Sequence, residues 1–396
     1  MNDFAYINGR IALPDGSIVG NHIIVVSNGR ITNICDPAAL PEGCATIDLN
    51  GNLLAAGFID AQVNGGGGVL FNDAPTVETI RRIGLVHASF GTTAFLPTLI
   101  SDDLDKIRQG YRAVNEAIQL GVPGVIGIHV EGPFLNVGRK GIHDAEKIRQ
   151  LDISGMSAVI EGRPKLVVMT VAPECMSSDQ LQALSESGIK LFAGHSDATW
   201  SEMESAFGNG IIGVTHLFNA MSQLQGREPG LVGAALGKPE CWCCVILDGI
   251  HVHPETLRLA IQAKGGLDHF VLVTDAMPTV GQQDKTFFLH GDQISVLGGV
   301  CQNPDGTLAG SDLDMSQAVA NATKLLGVSL TEAMGLASAN PARMLGLDRE
   351  TGSLQVGLAA DLVELSDEGL VMRTWIKGQL VWDRAHSVAE KSDYIR

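Results

Sequence analysis

Eight short apolar runs divide the middle of the chain, and each ends at a polar residue or at a residue type common in catalysis. In chain order they are LLAAGFIDAQ, TTAFLPT, GVIGIHVEG, KLVVMTVAPE, IKLFAGHSD, GVTHLFNA, CCVILDGIH and HFVLVTDA. Most are separated by ten or more residues of helical character, such as TVETIRRIGLVHASF, SDQLQALSESG and HPETLRLAIQAKG. Parallel strands need crossover connections of this kind. The pattern predicts an α/β fold, a (β/α)8 TIM barrel, in which the carboxyl ends of the strands face the active site.

Shorter strands with turns between them occupy both ends of the chain. Residues 1–55 contain FAYINGRIAL, HIIVVSNGRITNI and ATIDLNGNLL, with PDG and SNG as turn signals. The tail has the same character in GSLQVGLAADLVEL and LVMRTWIKGQLVWD. We therefore expect a small β-sandwich domain formed by residues 1–55 and 349–396 together, around a barrel at residues 56–348.

Two intervals depart from the alternation of strand and helix. The segment MSQLQGREPGLVGAALGKPE is rich in Gly and Pro, which predicts an active-site loop that is only partly helical. Residues Gln283 to Val300 have strand and turn character, which predicts an insertion before the last barrel helix. The glycine run Gly65 to Gly68 lacks the Lys-Ser/Thr ending of a phosphate-binding P-loop, so we interpret it as a turn that needs unusual dihedral angles.

The charge of the chain argues against two classes of partner. Its 396 residues carry a formal net charge of −17, so neither nucleic acid nor an anionic membrane is an expected partner. The start, MNDFAYINGRIALPDG, lacks the basic and apolar regions of a secretory signal, and no apolar run reaches about 18 uncharged residues. We expect a cytoplasmic protein with a small-molecule partner, and a phosphorylated ligand would need a local basic pocket.

The cysteines do not form a recognisable framework. They are odd in number and lack the paired spacing of a disulfide scaffold or a zinc ribbon, which indicates reduced thiols. Cys241, Cys243 and Cys244 could be taken for metal ligands, but they lie in the apolar run CWCCVIL, where free cysteine is an ordinary small core residue.

Four residues at the ends of the predicted strands carry the candidate chemistry. His195 and His216 end adjacent strands, and Glu131 ends a strand two earlier, so the three side chains can meet at the rim of the barrel. Two imidazoles and a carboxylate, with a fourth position open, suit a catalytic zinc-type site. With Asp275 ending the eighth strand, the set fits metal-assisted hydrolysis, although each histidine alone could be a satisfied polar residue.

These residues lie in a series of motifs that resembles the N-acetylglucosamine-6-phosphate deacetylases of the amidohydrolase superfamily over nearly the whole chain. The motifs, in the order of the family, are GFIDAQVNGGGG, HVEGPFLN with KGIH behind it, APE, GHSDAT, THLFNAM, GREPGLVG, DGIHV, LVTDAM and GTLAGS. The resemblance implies that Glu131, His195 and His216 bind the metal and that Asp275 is the general acid/base. It also implies that His143 polarises the acetamide carbonyl. The alternative is that His143 is a surface-loop histidine with no role in the reaction.

The resemblance also implies the substrate and how it is held. Arg227 would bind the phosphate of an amino-sugar phosphate from a neighbouring subunit, which implies a homodimer, whereas the alternative is a solvated loop arginine. The other substrate contacts that it implies are Ile142, Asn219, Ala220, His251, Leu308, Ala309 and Gly310. His253 is close to His251 but precedes Pro254 and Glu255, so we interpret it as a helix-entry residue.

The first strand departs from the wider superfamily. Where a histidine pair would supply ligands for a second metal, the chain reads Asp60-Ala61-Gln62-Val63-Asn64. Neither Gln62 nor Asn64 replaces imidazole well, so we expect one divalent metal per subunit and a pocket position for Gln62. The donor set favours Zn²⁺ but would also accept Fe²⁺, Co²⁺ or Mn²⁺.

Other functions stay open at this stage. The galactose epimer of the sugar phosphate differs at one hydroxyl that the sequence does not place, and other amidohydrolases act on cyclic amides or purine amines. A non-catalytic scaffold on the same barrel is a further alternative. The presence of Glu131, His195, His216 and Asp275 together argues against it.

Overall fold

The computed structural model describes residues 3–386 and begins with the strands of the small domain. Four of these strands form one sheet in the order β5-β4-β1-β6. The other three join strands from the end of the chain. The ranges are β1 (Phe4–Ile7), β2 (Arg10–Ala12), β3 (Ile18–Val19), β4 (Ile23–Ser27), β5 (Arg30–Cys35), β6 (Ala45–Asp48) and β7 (Leu53–Ala56).

The eight apolar runs form the eight parallel strands of the barrel, as the sequence predicts. They follow one another around the sheet in chain order, and a hydrogen bond from the Asp275 amide to the Gln62 carbonyl (3.0 Å) links the last strand's end to the first. The glycine turn contributes a short antiparallel pair, β9 (Gly65–Gly66) and β10 (Val69–Leu70). The barrel strands are β8 (Phe58–Val63), β11 (Thr92–Leu99), β12 (Ile128–Glu131), β13 (Val167–Val171), β14 (Lys190–Ala193), β15 (Ile211–Val214), β16 (Trp242–Val245) and β17 (Phe270–Leu272).

Local sequence sets where the helices begin. Ser177 and Gln180 form a capping box at the start of α4, and His253 caps α7 by accepting a hydrogen bond from the Glu255 amide, which confirms it as a helix-entry residue. No helix within residues 3–386 has the length and apolar character needed to cross a membrane. The helices are α1 (Val77–Ala88), α2 (Leu104–Gln119), α3 (Ile153–Ile160), α4 (Ser178–Glu186), α5 (Trp200–Gly208), α6 (Gly230–Gly237), α7 (Pro254–Lys264), α8 (Met315–Asn321), α9 (Leu330–Ala337) and α10 (Ala339–Leu345).

The predicted insertion is a three-stranded antiparallel sheet, β18 (Thr286–Leu289), β19 (Asp292–Leu297) and β20 (Val300–Gln302). It lies between the last barrel strand and α8. The predicted loop before the seventh strand is partly helical, since it contains α6. The insertion and the partly helical character of this loop are confirmed, whereas no residue of the loop lines the cavity described below.

The two chain ends build the small domain together. The strands β21 (Leu362–Leu365), β22 (Val371–Ile376) and β23 (Gln379–Asp383) extend a six-stranded sheet in the order β23-β22-β21-β7-β2-β3. Tyr6 of the four-stranded sheet packs edge-to-face on Trp375 of the six-stranded sheet at 5.0 Å. The two sheets share one buried apolar cluster, so they form the expected sandwich. The Thr374 hydroxyl ties this sandwich to the barrel by donating to the Ala88 carbonyl.

Candidate metal-dependent active site

Three buried side chains converge at the carboxyl end of the barrel strands. Glu131 is the last residue of β12, whereas His195 and His216 each lie two residues beyond the ends of β14 and β15. The His216 Nε2 atom lies 3.0 Å from Glu131 Oε1 and 3.1 Å from His195 Nε2, and the third pair, His195 Nε2 to Glu131 Oε1, is separated by 3.3 Å. The sequence prediction that these three residues meet is confirmed.

The local backbone helps to bring these side chains together. His195, His216 and Asp275 all have positive φ angles, of 48°, 32° and 52°. Left-handed backbone is uncommon for residues other than glycine and often marks functional sites. Here it follows directly after the strands, where the chain turns away from the barrel and the side chains remain at its mouth.

The chemistry of the three donors fits a divalent metal. With ligand bonds of about 2.0–2.2 Å, two ligands of a tetrahedral ion lie about 3.3 Å apart, close to the separations within this group. The His195 Nδ1 atom lies 2.9 Å from the Arg139 carbonyl oxygen, which only accepts, so Nδ1 carries the proton and a neutral His195 offers its Nε2 lone pair to the group. A lone pair and a carboxylate that face each other in a buried space call for a cation.

Electrostatics keep the glutamate ionised. Burial by itself would raise the pKa of Glu131, but the neighbouring imidazoles of His195 and His216 hold it well below its usual range. Burial alone lowers the pKa of His216, and the nearby Glu131 carboxylate reverses this and raises it. The group is therefore an anionic centre with two imidazoles, which is the charge pattern of a metal site with an open position.

Asp275 lies beside this centre and is held by two carboxamides. Its Oδ1 atom accepts hydrogen bonds from Asn64 Nδ2 (2.6 Å) and Gln62 Nε2 (3.1 Å). The same Gln62 nitrogen lies 3.2 Å from Glu131 Oε2, so the glutamine connects the acid/base candidate to a metal-ligand candidate. Burial, together with the charge of Glu131, raises the pKa of Asp275 to about 6.

His143 is the second candidate catalytic residue and is only 2% exposed. Its ring packs against His195 with 4.4 Å between ring centroids. On its other side, the Ser101 amide donates to His143 Nδ1 at 3.2 Å, and the Ser101 hydroxyl lies 2.8 Å from the same nitrogen. The structure therefore places His143 in the site rather than on a solvated loop.

A cavity of about 370 Å³ opens above these residues, a volume in the range of small-molecule sites. Most of the residues expected from the sequence line it: Glu131, Ile142, His143, His195, His216, Asn219, Ala220, His251, Asp275, Leu308 and Gly310. Asn64, Ile100, Arg139, Ile246, Met277 and Thr307 also line it, and of these the sequence analysis had named only Asn64.

Three of the expected residues lie outside the cavity lining. Gln62 is 2% exposed and lies beneath the cavity lining, where it contacts Glu131. Ala309 is fully buried between two lining residues, with its amide bonded to the Cys301 carbonyl. Arg227 is exposed, and within residues 3–386 it makes no hydrogen bond or ion pair. The glycine turn is confirmed, with φ angles of 65° at Gly67 and 80° at Gly68, and it too lies outside the lining.

His251 is oriented by a carboxylate that the sequence analysis did not single out. Its Nδ1 atom lies 2.6 Å from Asp248 Oδ2. The other oxygen of Asp248 accepts the amides of Ile250 (2.8 Å) and His251 (2.9 Å), which fixes the carboxylate in a tight turn. Both residues lie in the motif DGIHV. An aspartate three residues before the histidine is typical of a turn in which the carboxylate accepts backbone amides, and this spacing was the signal available in the sequence.

Comparison with known proteins places the chain in a family. A model described as the amidohydrolase family matches residues 53–381, and one described as the NagA composite domain matches residues 4–54. The N-acetylgalactosamine-6-phosphate deacetylase of Shewanella sp. (strain ANA-3) is 39% identical over 386 residues, 96% of this chain and 97% of that protein. The N-acetylglucosamine-6-phosphate deacetylase of Haemophilus influenzae is 34% identical over 359 residues, 90% and 93% of the two chains.

A solved structure gives the same result. The N-acetylglucosamine-6-phosphate deacetylase from Pasteurella multocida has a TM-score of 0.91 at 32% identity and covers 96% of this chain and 99% of its own. The barrel and the buried donor group at its rim define a metal-dependent hydrolase. The chain belongs to the amidohydrolase family, as the motif series indicates, and is a hydrolytic enzyme.

Proposed function

We propose that the protein hydrolyses the acetamide of N-acetyl-D-glucosamine 6-phosphate to D-glucosamine 6-phosphate and acetate. The observation that carries this proposal is the convergence of Glu131, His195 and His216 within about one ion's coordination sphere, next to Asp275, at the base of the cavity. The names of the relatives from Haemophilus influenzae and Pasteurella multocida support the substrate.

In this proposal Glu131, His195 and His216 hold one divalent metal, with zinc favoured by the donor set over Fe²⁺, Co²⁺ and Mn²⁺. Such an ion would supply Lewis-acid chemistry, which would lower the pKa of the attacking water toward about 7 and polarise the acetamide carbonyl. Gln62 and Asn64 support a single ion, because amide side chains stand at the two positions where a second ion would need imidazole ligands.

Asp275 takes the proton of the attacking water and then delivers it to the amine nitrogen as the carbon–nitrogen bond breaks. Two donors occupy its Oδ1 atom, so Oδ2 is the oxygen left for proton transfer. His143 donates a hydrogen bond to the carbonyl oxygen as negative charge develops there.

The phosphate is assigned to two residues that follow His216 in the chain. Ala220 offers its backbone N–H as a donor, and Asn219 carries a side-chain amide that donates to the His216 and Leu217 carbonyls in this structure. Both residues line the cavity. Because Arg227 is exposed and outside the cavity of its own chain, we propose that it reaches the active site of a partner subunit in a homodimer. The sugar contacts assigned with them are Ile142, His251, Leu308, Ala309 and Gly310.

A second candidate substrate is N-acetyl-D-galactosamine 6-phosphate. The observation that favours it is the 39% identity to the Shewanella protein, which is named for that substrate, against 34% for the Haemophilus protein. The two sugars share the acetamide and the phosphate, so Asp275, the donor group and Arg227 serve both equally. The choice between them depends on contacts to one hydroxyl.

Acetate release from both sugar phosphates tests this choice. Metal-loaded protein should show a higher kcat/KM with the glucosamine compound. A higher kcat/KM with the galactosamine compound would transfer the proposal to the second candidate, and no acetate from either would remove both.

Two further proposals accompany this function. We propose the domain division 1–55, 56–348 and 349–396, which the continuity of β7 with β21 in one sheet supports up to its last residues at His386. Residues 387–396 of the third segment lie outside the described residues.

We also propose a cytoplasmic location, because all seven cysteines are free, as expected in a reducing compartment.

A further inference from the structure

Ser101 is a buried serine that follows the second barrel strand. It lies two residues beyond β11 and is 1% exposed. Its segment is fixed by Asn72, whose side chain accepts the Ile100 amide at 2.9 Å and donates to the Ile100 carbonyl at 3.1 Å. Gly132 packs so closely that a Cβ atom there would lie 2.4 Å from the Ser101 hydroxyl. The position of the Ser101 backbone and side chain is therefore tightly determined.

The ring of His143 is fixed against this serine. Its Nδ1 atom accepts the Ser101 amide at 3.2 Å and lies 2.8 Å from the Ser101 hydroxyl. The backbone of His143 is held separately, since its amide donates to the Lys140 carbonyl at 3.0 Å and its carbonyl accepts from Lys140 Nζ at 3.2 Å. The ring therefore has one defined orientation before any substrate enters.

This geometry determines where the imidazole proton lies. A backbone N–H can only donate, so the nitrogen that accepts it must present a lone pair. Nδ1 of His143 is therefore unprotonated, and the proton of a neutral imidazole must lie on Nε2. The Ser101 hydroxyl then donates as well, and both groups favour the same tautomer.

We propose that Ser101 is a positioning residue that holds His143 as the Nε2–H tautomer, so that His143 acts in the reaction as a fixed hydrogen-bond donor and does not transfer protons. Within residues 3–386, Nε2 of His143 has no hydrogen-bond partner, and the ring lines the cavity. A donor fixed in advance suits a carbonyl oxygen that gains negative charge, because it needs no reorganisation during the reaction.

The inference rests on the proposed function for the role of His143, but the tautomer itself can be observed without any substrate. The test uses zinc-loaded full-length protein with ¹⁵N-labelled histidine, in which the couplings of each ring nitrogen to the ring protons show which nitrogen is protonated. The His143→Gln variant identifies the signals of His143 by their loss. We expect a proton on Nε2 and a bare Nδ1. A proton on Nδ1, or exchange between the two forms, would overturn the proposal.

Kinetics of Ser101→Ala test the positioning. The variant keeps the backbone amide and loses the hydroxyl, so the Nε2–H tautomer should persist while the ring becomes less well held. We expect kcat to fall about tenfold with KM nearly unchanged, a loss of the size found when a hydrogen-bond partner that orients a functional histidine is removed. Ser338→Ala is the matched control, because Ser338 is also buried and donates its hydroxyl to the Met334 carbonyl, far along the chain from the site.

These outcomes distinguish a failure of the positioning role of Ser101 from a failure of the proposed function. Unchanged kcat in Ser101→Ala, or an equal loss in Ser338→Ala, would overturn the positioning role. If the wild-type protein released no acetate but showed the Nε2–H tautomer, the proposed function would fail while the assignment of the proton to Nε2 stood.

Discussion

The side-chain amide of Asn64, at the end of the first barrel strand, donates to Oδ1 of Asp275 at 2.6 Å, at the end of the eighth. Asp275→Asn preserves this contact, because the amide oxygen of asparagine can still accept from Asn64 and Gln62. The variant loses the group that takes and returns a proton. We expect kcat to fall at least about 10³-fold while the protein still binds one metal ion.

Metal analysis on the same preparation provides the control for that prediction. Equal metal content in the wild type and in Asp275→Asn shows that the loss lies in proton transfer. If Asp275→Asn kept near-wild-type turnover, the mechanism assigned to Asp275 would be wrong.

Metal removal should affect both activity and stability. Only Glu131, His195 and His216 form a group of closely spaced metal-type donors within residues 3–386, so we expect one equivalent of metal per chain. A chelator should abolish acetate release and lower the melting temperature, because ligand at about 100 times its Kd stabilises a fold by about 2.7 kcal/mol. Elemental analysis that found two equivalents per chain would contradict the single site.

Mixed dimers can test the proposed role of Arg227. Arg227→Gln should raise KM for the sugar phosphate, and Asp275→Asn alone should be inactive. In a dimer that contains one chain of each kind, one active site combines an intact Asp275 with an intact Arg227 of the partner subunit. Random assembly should therefore restore about a quarter of the wild-type active sites. If co-expression restored no activity although differential tags showed that mixed dimers had formed, Arg227 would not act in the active site of the partner subunit.

His87 on α1 links stability to pH. It is fully buried against the Gly65 carbonyl at 2.9 Å, and burial lowers its pKa from 6.5 to about 4. The unfolded chain takes up a proton near pH 6.5 and the folded chain does not, so the stabilisation by neutral His87 is fully present above pH 6.5 and is lost as the pH falls toward about 4. The free energy of unfolding should therefore decrease by about 2 kcal/mol between pH 7 and pH 5.

The measurement is the change in melting temperature of metal-free protein between those two pH values. His87→Gln should show a smaller change than the wild type, since glutamine can donate to the same carbonyl without taking up a proton. His290→Gln is the control, because His290 is exposed in the turn between β18 and β19. An identical change in all three proteins would refute the linkage.

The sequence predicted those parts of the molecule that follow from local pattern. Apolar runs separated by helical segments determine the barrel, and in a barrel the strand ends must meet, which brought Glu131, His195 and His216 together. The cap at His253 was predictable because Pro254 follows it. The three cysteines of CWCCVIL were predicted as core residues, and the structure confirms that they are buried.

The contacts that depend on loop conformation could not be predicted. Ser101 and His143 are 42 residues apart in the chain, and nothing in either segment specifies that one amide should meet one ring nitrogen. The Arg139 carbonyl reaches His195 for the same reason, through the path of the loop after β12. The bond from Asn64 to Asp275 requires the exact register at which the first strand meets the last, which apolar periodicity does not encode.

The most direct test of the central claim is acetate release by metal-loaded protein from N-acetyl-D-glucosamine 6-phosphate and from the unphosphorylated sugar. The account predicts rapid acetate formation from the phosphate and a kcat/KM at least about 100-fold lower without it, since charge-assisted contacts to phosphate contribute about 1.5–3 kcal/mol each. Equal rates with both sugars, or no acetate from the phosphate at full metal occupancy, would contradict it.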